Sequence, residues 1–200
     1  MKHILHLKSS LLGKESYSIK LGQNIVEKIQ EKYPNSTVEE LNLVDSEIPH
    51  LSSAVLRTFF IPTDQLTKEE KESIRLSDEL VKQLLTADII VIGAPVINFT
   101  IHSSLKAWID HITRVGITFG YGENGPVGKI IGKKVYVAMS SGGVYSEGLY
   151  KENDFVAPYL KAFFSFLGMT DFTVFRAEGL KVPEMKEYAM EKAIDSIKID

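Results

Sequence analysis

Four short, largely apolar runs, Ile4–Leu7, Ile89–Gly93, Val135–Met139 and Phe172–Phe175, recur along the chain, each about the length of one strand, and the mixed stretch Val38–Leu43 is a plausible further strand, second in chain order. Between them the apolar positions recur at helical spacing. Leu21, Ile25 and Ile29, with Val26 beside them, form a face that starts near Ser16, where Ser16 or Ser18 can cap the amino end. Pro34-Asn35-Ser36 ends it. Thr67 and Glu70 have the spacing of a capping box and announce a helix to about Thr86. Leu105, Trp108, Ile109 and Ile112 fall on one face of a helix over roughly residues 102 to 114, which puts Trp108 in the core. Val156, Tyr159, Leu160, Phe163, Phe164 and Leu167 make a broad apolar face. Pro183 is a favourable first residue for a terminal helix that would bury Met185, Ala189, Ala193, Ile194 and Ile197.

Two segments break the alternation. Residues 45 to 64 are rich in turn formers and read as a long connection with at most a short helix. Gly116 to Gly132 is glycine-rich, carries Pro126, Phe119 and Tyr121, and reads as a loop or small hairpin standing off the sheet. Strands that alternate with helices imply an α/β chain with a parallel sheet, because right-handed crossovers place helices on both faces. The expected architecture is a single domain over residues 1–200. It is a doubly wound, five-stranded sheet in the flavodoxin-like order 2-1-3-4-5. In that order the first, third and fourth strands are neighbours. The turns after them, Ser9 to Ser18, Pro95 to Phe99 and Ser140 to Gly143, then meet at the carboxyl edge, where such sheets bind ligands.

Composition narrows what those turns could bind. A formal net charge of -3 leaves no basic footprint for nucleic acid, and there is no cysteine for disulfides, thiolate chemistry or thiolate-bound metal. His3, His6, His50, His102 and His111 are scattered without ligand spacing, so no metal site is expected. Met1 to Lys8 lacks the apolar core of a secretory leader, and no run reaches membrane-spanning length. A cytoplasmic protein with no membrane partner is expected.

The first turn suits a phosphate, since helix amino-terminal amides and the hydroxyls of Ser10, Ser16 and Ser18 can surround a dianion. Any one of these serines, read alone, could simply cap the helix. The turn lacks the glycine spacing of a dinucleotide fingerprint and the Gly-Lys-Ser/Thr ending of a triphosphate loop. Gly142 and Gly143 let backbone approach a flat ring, or merely turn the chain. Amides around Ile97 to Phe99 can bond that ring's polar edge. A phosphate at one end and a planar ring against two loops describe flavin mononucleotide (FMN).

The chain resembles the FMN-dependent NADH azoreductases, the quinone-reducing branch of flavodoxin-like proteins, over essentially its full length. The matching segments are Leu7-Lys8-Ser9-Ser10, Leu76-Ser77-Asp78-Glu79-Leu80, Ala94-Pro95 with Asn98-Phe99, Glu123-Asn124-Gly125-Pro126, Gly132-Lys133-Lys134 and Ala177-Glu178-Gly179. The resemblance implies phosphate binding by Ser10, Ser16, Tyr17 and Ser18. It implies ring binding by Pro95, Val96, Ile97, Asn98 and Phe99 and by Ser140, Ser141, Gly142 and Gly143. It also implies a homodimer with flavin at the interface, where Tyr121 and Phe166 help cover the neighbouring subunit's ring; both could instead be core residues. Tyr145 joins them as a substrate-facing residue. The chain departs from a common family pattern at Val96 and Ile97 (methionine and tyrosine), Ser141 (arginine) and Tyr145 (histidine). These departures leave substrate range and the choice of NADH over NADPH open.

The activity so implied is two-electron hydride transfer from NADH to quinones and aromatic azo compounds by a ping-pong route. The flavin carries the chemistry and no protein residue acts as nucleophile or general base. The alternative is a flavodoxin-like electron carrier without an organic substrate, which the mild charge and the aromatic excursion disfavour. A phosphoacceptor domain would need acidic residues where Lys8-Ser9-Ser10 stands. A serine hydrolase would need a nucleophile elbow that Ser140-Ser141-Gly142 does not form.

Overall fold

The computed structural model describes residues 1–200. Seven strands form: β1 (His3–Lys8), β2 (Thr37–Asn42), β3 (Ile89–Pro95), β4 (Phe119–Gly122), β5 (Gly125–Gly128), β6 (Lys134–Ser140) and β7 (Asp171–Ala177). Five of them build a parallel sheet in the order β2-β1-β3-β6-β7. Strands β4 and β5 are an antiparallel hairpin apart from it, so the main sheet has the expected 2-1-3-4-5 order. The helices are α1 (Tyr17–Lys32), α2 (Ser53–Thr58), α3 (Lys68–Thr86), α4 (Ser103–Ile112), α5 (Val156–Phe166), α6 (Pro183–Lys186) and α7 (Ala189–Asp195).

Strand parity divides the core in two. Leu5, Leu7, Ile90, Ile92, Val135, Val137 and Met139 pack with Leu80, Leu84, Leu105, Trp108, Leu160 and Phe164 from α3, α4 and α5. The alternate residues Ile4, Ile89, Val91, Tyr136 and Ala138 pack with Leu21, Ile25 and Ile29 of α1 and with Ala189 and Ala193 of α7. A strand buried on both faces cannot alternate apolar with polar, which is why β3 reads as an unbroken apolar run. Trp108 is fully buried, as its spacing implies.

Helix boundaries follow local hydrogen bonding. Ser16, not Ser18, caps α1, accepting the Ile19 N–H at 3.3 Å. The Thr67–Glu70 box closes reciprocally, at 3.2 Å and 2.9 Å. Helix α4 stops at Ile112, short of the expected residue 114, because Arg114 turns into a tight loop in which its N–H donates to Thr118 Oγ1 at 2.8 Å. The single terminal helix expected after Pro183 is instead two short ones. At the break the Tyr188 N–H bonds Met185 O, three residues back, at 3.0 Å. Consequently Ala189, Ala193 and Ile197 are buried, whereas Met185 and Ile194 are only half covered. The connection over 45 to 64 contains only the short α2 and the start of a 3₁₀ turn, Thr63–Gln65.

His6, on β1, has no exposed surface, and neither ring nitrogen has a hydrogen-bond partner. Desolvation, assisted by the Lys8 charge and opposed by Glu40, lowers its pKa from 6.5 to about 4. Its 3.6 Å approach to Glu40 is therefore a contact with a neutral imidazole near pH 7. Because the unfolded chain takes up this proton first, stability is expected to fall as pH drops from 6.5 towards 4, by about 3 kcal/mol across that window. Urea unfolding of wild type and His6→Gln at pH 7 and pH 5 tests this: the variant should lose much of the pH dependence, and equal slopes would contradict it.

Candidate functional site

The parallel strands bring the turns after β1, β3 and β6 to one edge of the sheet. The first is tied to its neighbour by Ser9, whose N–H and Oγ both donate to Gly93 O, at 3.2 Å and 2.7 Å. Beyond it, Ser10 Oγ accepts the Leu12 N–H at 3.3 Å, and a 3₁₀ turn over Gly13–Glu15 leads into α1. Ser10, Ser16 and Ser18 are buried, and the last two hydroxyls are bonded to each other at 3.0 Å. The first amides of α1, those of Tyr17 and Ser18, donate to no acceptor in the chain. Free amides at the positive end of a 16-residue helix, beside buried hydroxyls, form a cradle with the chemistry of a phosphate site. Tyr17 contributes its amide; its ring packs on the core beneath α1.

The second turn is unusually tight. The Val96 N–H donates to Ser140 O at 2.8 Å, and Ile97 and Thr100 exchange backbone bonds of 2.9 Å and 3.0 Å. The two residues between them, Asn98 and Phe99, both have positive φ, 48° and 70°. Asparagine tolerates this conformation. Phenylalanine does so at a cost of about 1 kcal/mol, a strain of the kind that gathers at functional sites. The third turn is fastened by the Ser141 N–H to Ala177 O at 3.0 Å and Ser141 Oγ to Gly143 O at 2.8 Å.

Between the second and third turns lies a cavity of about 500 Å³, lined by Val96, Asn98, Phe99, Gly142, Gly143, Tyr145 and Lys181. The Tyr145 ring meets Phe99 edge to face, with centroids 6.4 Å apart. Its N–H donates to Glu178 Oε1 at 2.9 Å, and Glu178 is held by Arg176 Nη1 at 3.3 Å. Arg176 in turn donates from Nη2 to Asp154 Oδ2 at 2.6 Å. No carboxylate or imidazole lines the cavity; its titratable side chains are Tyr145 and Lys181, and the rest of the lining can hold and orient a flat molecule.

Of the residues singled out from sequence, Val96, Asn98, Phe99, Gly142, Gly143 and Tyr145 line this cavity. Pro95, Ile97, Ser140 and Ser141 do not. They fix the turns: Pro95 and Ser140 are register partners at the ends of β3 and β6. Tyr121 and Phe166 do not line it either. Tyr121 stands exposed on the β4–β5 hairpin, and both rings pack around Phe119, at 5.8 Å and 4.8 Å. Sequence reasoning missed Lys181. It follows β7 in an unremarkable polar segment, and only the pairing of residues 179–181 with 141–143 brings it to the cavity.

Fold and site together define a flavodoxin-like nucleotide-binding protein, and comparison with known proteins agrees. A family model described as "Flavodoxin-like fold" matches residues 2–198. An FMN-dependent NADH:quinone oxidoreductase of Rhizobium leguminosarum bv. trifolii is 44% identical over 200 residues, covering 100% of this chain and 96% of that protein. One from Herminiimonas arsenicoxydans is 44% identical over 180 residues, 90% of this chain and 88% of its own length. The solved structure of an FMN-dependent NADH-azoreductase from Bacillus anthracis, in complex with FMN, superposes with a TM-score of 0.84 at 32% identity. It covers 98% of this chain and 97% of that one. The chain belongs to the FMN-dependent NADH:quinone oxidoreductase family of flavodoxin-like proteins.

Proposed function

We propose that the protein is an FMN-dependent NADH oxidoreductase that reduces quinones and aromatic azo compounds by two electrons, with donor and acceptor using one cavity in turn. The observation that carries this reading is the meeting, at one sheet edge, of the cradle of unpaired amides with the cavity closed by the strained Asn98–Phe99 turn. The residues fit the cofactor. Ser10, Ser16 and Ser18 with the Tyr17 and Ser18 amides would hold its phosphate, and the turns at 95–99 and 140–143 would hold its ring. FMN held there would supply the redox chemistry, two-electron transfer between NADH and the acceptor.

The chain's own part is placement. The crossed bonds of Ile97 and Thr100 hold Asn98 and Phe99 in place, so the backbone groups that would meet the ring edge need no reorganisation. Tyr145, anchored through Glu178, and Phe99 give a flat donor or acceptor an aromatic wall. Anaerobic titration tests the reading. NADH should bleach the bound flavin, a quinone should restore its colour, and an azo dye should do so over two rounds. A flavin that NADH leaves yellow would contradict it.

Asn98 gives a sharper check. Asn98→Ala removes the amide and forces a less tolerant residue into positive φ, so FMN affinity should fall about tenfold; Asn98→Gly keeps the turn and should lose less. Unchanged affinity in both would remove Asn98 from the ring site.

A homodimer completes the proposal. Phe99, Leu149, Tyr150 and Phe155 are exposed, and Phe155 borders an apolar groove of about 580 Å³ with Ile101 and Tyr159, next along the chain from the strained turn. Apolar surface of this kind suits a second copy. Tyr121 and Phe166 are then substrate-covering residues for the neighbouring subunit's site. No helix is long and apolar enough to cross a membrane, which is compatible with a cytoplasmic enzyme acting as a single domain.

A further inference from the structure

Lys181 is the only charged side chain among the seven that line the cavity, and its ammonium has neither a carboxylate partner nor a hydrogen bond within the chain. Its position is built. The Gly179 N–H donates to Gly143 O at 3.0 Å, the Leu180 N–H to Ser141 O at 3.2 Å and the Lys181 N–H to Gly142 O at 2.9 Å, so the backbone before α6 is zipped onto the third turn. The lysine stem then crosses the place where Gly142 lacks a side chain: a Cβ there would lie 3.0 Å, 3.1 Å and 3.4 Å from Lys181 Cδ, Cγ and Cβ. A side chain at 142 would press on the lysine stem, so glycine there gives the lysine room to lie over it. The acidic residue of this loop, Glu178, is already engaged by Arg176 and the Tyr145 amide.

We propose that Lys181 is a specificity-determining residue that selects flat aromatic acceptors carrying an anionic group, a sulfonate or a carboxylate, by pairing with that group while the ring lies against Phe99 and Tyr145. The inference rests on the proposed function, because it takes the cavity to be where acceptors bind. The surroundings favour this role. The other lining side chains are neutral, so the ammonium is the one group able to discriminate charge, and the stem running over Gly142 carries it to the cavity.

The test uses FMN-loaded protein and two matched probes, anthraquinone sulfonate and the uncharged anthraquinone sulfonamide. Their equilibrium dissociation constants are read from perturbation of the flavin absorbance. Wild type should bind the sulfonate more tightly than the sulfonamide by about three- to fivefold, the range of a solvent-accessible ion pair, and the preference should fade in high salt. Lys181→Met, which keeps the stem over Gly142, should bring the ratio of the two constants to about one. Lys181→Arg should restore the preference and Lys181→Glu should invert it. The KM ratio for the two acceptors should follow the binding ratio. A wild type that does not prefer the sulfonate, or a methionine variant that keeps the preference or weakens both probes equally, overturns the assignment. Wild type that turns over both quinones without discriminating charge defeats this inference alone; wild type that reduces neither defeats the proposed function as well.

Discussion

Ser16→Asp is expected to abolish FMN retention while leaving the protein folded. Aspartate is as good an N-cap as serine, and a negative charge in the first turn is favourable to the helix, so α1 should keep its start. The same carboxylate occupies the cradle formed by Ser10, Ser18 and the Tyr17 and Ser18 amides. At an effective dielectric near 20, two unit charges about 4 Å apart repel by about 4 kcal/mol, which corresponds to roughly a thousandfold loss of affinity for a phosphate dianion. Circular dichroism should match wild type, and added FMN should stay fluorescent in solution. Ser16→Gly, which keeps the free amides, should lose far less. An aspartate variant that purifies as yellow as wild type would show that the phosphate lies elsewhere.

Of the chain's glycines, Gly128 leaves a side chain the least room, and Gly128→Ala should cause a large loss of stability. Strand β5 passes so close to the end of α5 that a Cβ on Gly128 would lie 2.1 Å from Leu167 C, 2.2 Å from Gly168 N and 2.5 Å from Leu167 O. All three are backbone atoms and cannot rotate away. The hairpin must retreat, which endangers the adjacent Ile130 N–H to Leu167 O bond of 2.9 Å and the contact between Phe119 and Phe166. A cost of about 3 kcal/mol, at the upper end for overpacking, corresponds to a fall of about 6–12 °C in Tm. Thermal unfolding of the variant measures it; a shift under 2 °C would mean that the hairpin docks loosely. If Tyr121 covers a neighbouring subunit's site, acceptor KM should rise as well.

The sheet order was legible in the sequence because its central strands are short apolar runs alternating with helices, and parallel strands covered on both faces allow few arrangements; the edge strand β2, Thr-Val-Glu-Glu-Leu-Asn, is largely polar. The terminal helix was misjudged for a different reason. Its apolar spacing is continuous from Met185 to Ile197, and nothing local marks the three-residue hydrogen bond at Tyr188 that splits it. At the site, Val96, Asn98, Phe99, Gly142 and Gly143, named from the second and third turns, line the cavity, but which turn residues line it and which only shape the turn was not separable in the sequence. Pro95 and Val96 are adjacent, yet one ends a buried strand and the other lines the cavity. The strain at Phe99 has no sequence signal, since Asn-Phe is not a usual pair for a turn with two positive φ values. Lys181 could not be found at all, because its place depends on the pairing of two loops that lie far apart in the chain.

Titration of flavin-free protein with FMN, and in parallel with riboflavin, tests most directly whether this chain holds its cofactor by the phosphate at the start of α1. One FMN should bind per chain with loss of its fluorescence, and riboflavin, which lacks the phosphate, should bind at least about a hundredfold more weakly. Protein that stays colourless with FMN, or that takes up both flavins equally, would contradict the account.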